Sequence, residues 1–236
     1  MKKIQKIVVF PVILLSLGLP SVASAENTST SDNTIETNEI SFEHALNFLT
    51  EEDFVDALSW VEQNHAYATS EEQNSLMEQQ LLRIYNSNLQ DGLYRTRSYN
   101  GLNLTSAEKK LVASHPIEAG HYYTSSQIAK NHTLKKYGRN GYQDNSDAFR
   151  HAVWNGALTQ RIGASRAKVW TDAHEQGVTD KLDKAMDLHN NKLGRDIGSK
   201  YGKSGQATNA MVEEIYRAIK SGRGRRIQSR KLVATT

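Results

Sequence analysis

The sequence contains no cysteine among its 236 residues. This absence excludes disulfide bonds, zinc sites with thiolate ligands and cysteine nucleophiles. The stability of the fold must therefore come from a packed core. Only three prolines occur in the chain, while Ala, Leu, Gln and Lys recur in long periodic runs, a composition that is typical of α-helices. The sequence therefore predicts an all-α fold.

Several common catalytic signatures are also missing. The chain has no HExxH metalloprotease motif, GxSxG nucleophile elbow, P-loop, GxGxxG fingerprint or EF-hand loop. Aromatic residues interleaved with bases, as in many nucleic-acid sites, occur only in the LYRTRSY stretch at residues 93–99. A function must therefore be inferred from a group of residues rather than from one motif.

Residues 1–25 have the features of a signal peptide. Three lysines occur among the first six residues, an apolar run covers residues 7–19, and Ala23-Ser24-Ala25 is a small-residue cleavage site. No later stretch approaches the roughly 20 apolar residues of a membrane-spanning helix. We therefore expect cleavage before Glu26 and a secreted protein, extracellular or associated with the cell wall, without a transmembrane segment after cleavage.

The remaining chain divides by composition into four segments. Residues 26–40 are polar and predict a disordered leader. An acidic helical region is expected over residues 41–92, and a multi-helix C-terminal domain that carries the site over residues 93–222. Turn signals at Asp91-Gly92 and Asn100-Gly101 indicate the boundary between them. Residues 223–236 are interpreted as a flexible basic tail.

Charge is distributed unevenly between the two halves of the chain. Residues 26–92 contain 14 acidic residues and one basic residue, whereas residues 93–236 contain 12 acidic and 25 basic residues. One interpretation is that two solvated surfaces happen to differ. The other is that the basic half binds an anionic substrate or envelope component, and that the acidic N-terminal region docks on it within the same chain.

Capping residues predict where the helices begin. Each proposed start has a Ser or Thr followed, three residues later in most cases, by an acidic or amide side chain. The predicted caps are Ser41, Thr50 with Asp53, Ser70 with Gln73, Thr105 with Glu108, and Thr208.

The stretch from Asp144 to Asn155, DNSDAFRHAVWN, carries the densest group of reactive side chains. A helix that begins near Ser146 places five of them on one face, at i, i+3, i+4, i+7 and i+8. These residues are Asp147, Arg150, His151, Trp154 and Asn155. Surface helices more often carry Lys and Glu, so this face is interpreted as the wall of a cleft.

A second predicted helix, over residues 180–197, repeats this spacing. Asp187, Asn190, Asn191, Gly194 and Arg195 again lie at i, i+3, i+4, i+7 and i+8. If the two faces meet, they line a polar cavity, and the small Gly194 is expected to leave room for Trp154.

The residue types allow two chemistries. In one, His151 is a general base oriented by Asp147 or Asp187, and Arg150 and Arg195 hold an anion, which suits hydrolysis of an ester or phosphodiester. In the other, a divalent metal ion activates water. Its candidate ligands are Asp147, His151, His174, Glu175 and Asp187. Alternatively, the polar residues form a structural cluster and the protein is a non-enzymatic binding or effector domain.

Three motifs resemble a bacterial domain of uncharacterised activity that occurs in secreted, wall-associated and toxin-like proteins. They are DNSDAFRHAVWN, DAHE at residues 172–175 and MDLHNNKLGR at residues 186–195, and the resemblance covers residues 105–200. It implies no particular reaction. It does imply that ten residues belong to one site, namely Asp147, Arg150, His151, Trp154, Asn155, His174, Glu175, Asp187, Asn191 and Arg195.

A weaker resemblance is to small secreted bacterial phospholipases A2, in which an Arg-His pair followed by an aromatic residue begins the catalytic helix. Here Ala152 follows Arg150-His151, where those enzymes have an Asp that helps to hold calcium, and their cysteines are absent. The residue types of the two polar faces predict a hydrolase of an anionic envelope, lipid or nucleic-acid ester. Its supporting residues would be Trp154, Asn155, Asn190 and Asn191.

Overall fold

The computed structural model describes residues 41–92, 101–203 and 208–236. The described residues form nine α-helices and one short β-hairpin, which confirms the all-α prediction. The helices are α1 (Phe42–Ala45), α2 (Glu51–Asn64), α3 (Ser70–Gln90), α4 (Ser106–Ser114), α5 (Pro116–Tyr137), α6 (Asn145–Ile162), α7 (Ala164–His174), α8 (Lys181–Lys200) and α9 (Asn209–Lys220), and the strands are β1 (Arg225–Gln228) and β2 (Lys231–Ala234).

Most helix starts follow the predicted caps. Thr50 forms the expected capping box with Asp53, and Thr105 forms one with Glu108. Helix α3 begins one residue earlier than predicted, because Thr69 and Glu72 form its capping box in place of Ser70 and Gln73. Ser41 and Thr208 cap α1 and α9 as predicted.

Helices α1 to α3 pack on the rest of the fold through apolar side chains. Phe54 of α2 is buried against Tyr123 of α5, with ring centroids 5.0 Å apart. Gly120 of α5 faces Leu58, so that the two helices approach closely. The ion pair between Lys130 and Glu51 also joins them. Apolar packing therefore accounts for much of this contact, beside the charge complementarity that the uneven distribution of acidic and basic residues predicts.

Helix α6 lies at the centre of the fold and is buried along nearly its whole length. Helix α8 packs tightly against it, because a Cβ on Gly194 would lie 2.1 Å from the backbone oxygen of Ala152 and one on Gly198 would lie 2.7 Å from that of Gly156. The two helices run in the same direction, since Gly194 contacts Ala152 and Gly198, one turn later, contacts Gly156. Gly194 therefore allows the backbone of α8 to contact that of α6 at Ala152, and the expectation that it faces Trp154 is wrong.

The C-terminal residues interpreted as a flexible basic tail instead form the antiparallel pair β1 and β2. Ser229 and Arg230 make the connecting turn with φ values of 51° and 58°. This left-handed turn matches the twist of a hairpin, but it lacks the Asn-Gly signal that would reveal it in a sequence. Asn190 holds β1 by donating to the backbone oxygen of Arg225 at 2.8 Å and accepting from its nitrogen at 2.9 Å.

Other predictions fall outside the described residues. These are the signal peptide at residues 1–25, the leader at residues 26–40 and the stretch at residues 93–99. Within the part of the chain that the structure describes, no helix combines the length and the apolar character required to cross a bilayer.

Candidate metal centre

Neither Asp147 nor Asp187, the two aspartates of the predicted site, caps its helix. Asp144 caps α6 by accepting from the backbone nitrogens of Ser146 at 2.8 Å and Asp147 at 3.0 Å. Asp180 caps α8 in the same way. Asp147 and Asp187 lie one and two turns further along their helices, so their carboxylates are available to a site between the helices.

Asp147, His151 and Asp187 meet between α6 and α8, as the spacing predicted. The Nε2 atom of His151 lies 3.5 Å from Oδ1 of Asp147 and 3.4 Å from Oδ1 of Asp187. All three ligand atoms lie within 4.8 Å of one another, and the residues are 1%, 6% and 5% exposed. A cation bound tetrahedrally at about 2.1 Å separates its ligand atoms by about 3.4 Å. The spacing therefore suits one divalent ion.

A buried hydrogen-bond network behind the cluster fixes the orientation of two amides. Arg195 donates to Oδ1 of Asn155 at 2.7 Å, and the hydroxyl of Thr171 donates to the same oxygen at 3.1 Å. The Nδ2 of Asn155 then donates to Oδ1 of Asn191 at 2.7 Å. Since Arg195 can only donate, the oxygen of Asn155 must face it.

This network sets the tautomer of His151. The Nδ2 of Asn191 donates to Oε1 of Glu175 at 3.1 Å, so its Oδ1 faces Nδ1 of His151 at 3.3 Å. Nδ1 therefore carries the hydrogen, and the Nε2 lone pair of the neutral ring points at the two carboxylates. Histidines that bind metals generally donate their second nitrogen to such a partner.

The electrostatics of the metal-free cluster favour a neutral imidazole. Burial, with a smaller contribution from Arg150, lowers the pKa of His151 to about 3. Burial, together with the charges of Glu175 and Asp147, raises the pKa of Asp187 to about 8. Oδ1 of Asp187 has no hydrogen-bond partner among the described residues, although it is buried. Asp187 therefore holds a proton at neutral pH, and a bound cation would take the place of that proton.

Both carboxylate oxygens of Asp147 accept hydrogen bonds. Its Oδ1 accepts a hydrogen bond from Arg150, and its Oδ2 accepts one from the backbone nitrogen of Gln143 at 2.6 Å. Gln143 adopts a φ of 57°, which is uncommon for a residue other than glycine, and its side chain donates to Asp183 at 3.2 Å. The loop before α6 therefore fixes one candidate ligand in place.

Arg150 links the cluster to a cavity of about 210 Å³. Trp154 and His174 also line this cavity. The indole nitrogen of Trp154 donates to the backbone oxygen of Tyr122 at 3.1 Å, and its ring contacts those of His151 and His174. The cavity and the buried cluster therefore share two neighbouring side chains.

The remaining predicted site residues lie in different positions. Asn190 contacts the hairpin and is not part of the three-residue cluster. Arg195 lies behind Asn155 and is not among the residues that line the cavity. Glu175 contacts Asn191, and its Oε2 is buried without a hydrogen-bond partner among the described residues. His174 contacts Glu108 and is not part of the three-residue cluster.

Sequence reasoning missed several residues around the site. Glu108 was assigned only to a capping box, yet it also accepts from Tyr122 at 2.9 Å. No motif or spacing in the sequence points to Gln143 or Thr171. None of these contacts has a signal in local spacing, because each joins separate elements or depends on loop conformation.

Comparison with known proteins gives one family match. Residues 109–223 match the model of a family described as Domain of unknown function (DUF6973). The match contains α6, α8 and every residue of the candidate cluster. Searches of curated proteins and of solved structures found no match. The matched region is thus an uncharacterised domain, in agreement with the coarser part of the resemblance.

Proposed function

We propose that this chain is a secreted hydrolase in which Asp147, His151 and Asp187 hold a divalent cation that activates water for cleavage of an anionic ester or phosphodiester. The proposal rests on the Nε2 lone pair of neutral His151, which faces two buried carboxylate oxygens at 3.4–3.5 Å. Without a proton or a cation between them, three electron-rich atoms would repel one another.

The ligand set indicates the type of cation. One imidazole and two carboxylates suit ions such as Zn²⁺ and Mn²⁺. Three protein ligands would leave a coordination position for water, and a cation held there would lower the pKa of that water toward neutrality. Asn191 and Arg150 would act around the ligands, the first orienting His151 and the second balancing the charge of Asp147.

The positive side chains near the cavity favour a negatively charged substrate. Arg150 lies between Asp147 and the cavity, and Lys130 and His174 also line the cavity wall. The excess of basic residues over residues 93–236 extends the same preference to the surrounding surface. A lipid head group, a cell-envelope polymer and a nucleic acid all offer such an ester.

Export is proposed from the leader at residues 1–25. Expression of the full chain in a secreting bacterial host should release a protein whose N-terminus is Glu26, as measured by mass spectrometry of the culture medium. Retention of the intact leader in the cytoplasm would contradict this part of the proposal.

Turnover by the purified chain tests the reaction. We expect chelator-sensitive hydrolysis within a panel of p-nitrophenyl esters, bis(p-nitrophenyl) phosphate and anionic phospholipid vesicles. The His151→Gln variant should lose about 10²–10⁴ in rate, the range of a lost catalytic group. His132→Gln is the matched control, because His132 lies on α5 and does not line the cavity. Equal turnover by wild type and His151→Gln would refute the assignment.

A second candidate function is a binding or effector domain with a structural cation. The observation that favours it is the fully buried amide network of Asn155 and Asn191, which is suited to fixing α6 against α8. In that case His151→Gln should lower the melting temperature, and neither protein should turn over any substrate in the panel.

A further inference from the structure

The wall of the 210 Å³ cavity contains a second histidine with a carboxylate partner. Nδ1 of His174 lies 3.0 Å from Oε1 of Glu108. Glu108 comes from α4 and His174 from the end of α7, so the pair exists only in the folded chain. It does not overlap the ligand cluster formed by Asp147, His151 and Asp187.

Glu108 is held firmly in position. Its Oε1 also accepts from the hydroxyl of Tyr122 at 2.9 Å, and its Oε2 accepts from the backbone nitrogen of Thr105 at 2.9 Å. The residue is only 3% exposed. A carboxylate with both oxygens engaged in this way fixes the ring of His174 and accepts its Nδ1 hydrogen.

The Nε2 atom of His174 is consequently the ring nitrogen that a ligand in the cavity can reach. The side chain of His174 is 43% exposed, whereas that of His151 is 7% exposed. Burial opposes a charge on His174, but the hydrogen bond and the negative charge of Glu108 outweigh it and raise the pKa of His174 above its usual value. The two histidines are therefore suited to different roles, one as a buried ligand and one as a proton donor.

The size and charge of the cavity restrict what it binds. Its volume lies below the roughly 300 Å³ at which pockets for drug-sized ligands begin, so it suits a small head group. Both carboxylates in its wall are already paired, Glu108 with His174 and Glu51 with Lys130. Arg150 in the same wall is paired with Asp147. Lys130, Arg150 and His174 therefore provide hydrogen-bond donors, and an anionic group is the complement of these donors.

We propose that the cavity binds the anionic head group of a phosphoester and that His174 is the general acid that protonates its leaving oxygen from Nε2. This inference rests on the proposed hydrolase function. Water activated at the cluster would attack phosphorus and release its proton to solvent, the bond from phosphorus to the leaving oxygen would break, and that oxygen would take the proton of His174. Glu108 is a positioning residue, and His174 recovers its proton by exchange with solvent.

Leaving-group dependence provides the test, because a general acid matters most when the leaving alcohol is a poor one. The rates of wild type, His174→Gln, Glu108→Gln and His132→Gln are compared on bis(p-nitrophenyl) phosphate and on diphenyl phosphate. We expect His174→Gln to slow the phenyl substrate by about 10²–10⁴, to slow the p-nitrophenyl substrate by less than about 10-fold, and to retain the metal content of wild type. Glu108→Gln should alter the pH profile of the phenyl reaction, and His132→Gln should match wild type.

The outcomes separate the two proposals. Equal losses on both substrates, or no loss, in an otherwise active protein would overturn the acid role of His174 and leave the proposed function standing. An inactive, metal-loaded wild type would remove the proposed function and the acid role together.

Binding of inorganic phosphate tests the cavity by itself. Shifts of the His174 ring resonances that disappear in Arg150→Gln support an anion site, and their absence in wild type overturns it.

Discussion

Oδ1 of Asp187 lies 3.4 Å from Nε2 of His151, although the two residues belong to different helices. The contact arises because α6 and α8 run in the same direction and carry polar residues with the same spacing. Asp187 therefore meets His151, and Asn191 meets His151 and Asn155 one turn later. The cluster and its supporting amides are consequences of one helix register.

The register depends on the glycine contact, so Gly194→Ala should disturb stability and metal binding together. A Cβ at this position would lie 2.1 Å from the backbone oxygen of Ala152, and relief requires the helices to separate. We expect a loss of about 1–3 kcal/mol in unfolding free energy, as for other overpacked sites, and weaker metal binding. Leu188→Ala on the exposed side of α8 is the control. Unchanged denaturation and metal titration curves would contradict the prediction.

Asn191 orients the imidazole, whereas its neighbour Asn190 holds the hairpin. Asn191→Leu should therefore weaken metal affinity about 10–100-fold, the usual effect of losing a partner behind a ligand. Asn190→Leu provides a matched control, because it should reduce stability without changing metal affinity. Isothermal titration of both variants with Zn²⁺ checks the difference, and similar affinities in the two variants would count against the assigned tautomer of His151.

Asp187→Asn should have opposite effects with and without metal. In chelator, the pKa of Asp187 in the folded protein is about 8, above the usual value near 3.9 of an unfolded chain. Its contribution to stability is therefore present at pH 4 and lost as the pH rises through 8. The variant should lack this decline and be the more stable protein at pH 9, yet show no stabilisation by metal. Parallel stability curves from pH 4 to 9 would exclude a buried, protonated Asp187.

Truncation after Gly222 tests the structural role of the hairpin. Both polar groups of the buried Asn190 side chain would lose their partners in β1. Leaving buried polar groups unpaired costs about 1–3 kcal/mol each, so we expect a clear fall in unfolding free energy in urea denaturation. A flexible tail, as interpreted from the sequence, would instead be removable without effect.

The sequence predicted the helical fold and the shared face of Asp147 and His151 because both depend on local spacing. It left open whether the face of Asp187 meets them, because that contact joins two helices. Residues four apart share a helix face, so Asp147 and His151 had to project together. Spacing could not show that Asn190 and Asn191 have different partners, because adjacent residues on one broad face, about 100° apart around the helix, can contact different elements. It also could not show that His174 pairs with Glu108, because that contact joins residues 66 positions apart.

Two other sequence predictions differ from the structure for local reasons. Gly194 was expected to accommodate a large side chain, but the helices approach so closely that backbone fills the space. The hairpin turn at Ser229 and Arg230 uses left-handed residues without the glycine or asparagine that usually marks such turns.

Metal binding by the wild-type chain and by His151→Leu is the most direct test of the central claim. The chelator-treated, dialysed proteins are titrated with Zn²⁺ and with Mn²⁺ in a calorimeter, and bound metal is counted by elemental analysis. We predict one high-affinity ion per wild-type chain and none in a folded His151→Leu variant. Absence of binding by the wild type, or the same stoichiometry and affinity in the variant, would contradict a metal centre at Asp147, His151 and Asp187.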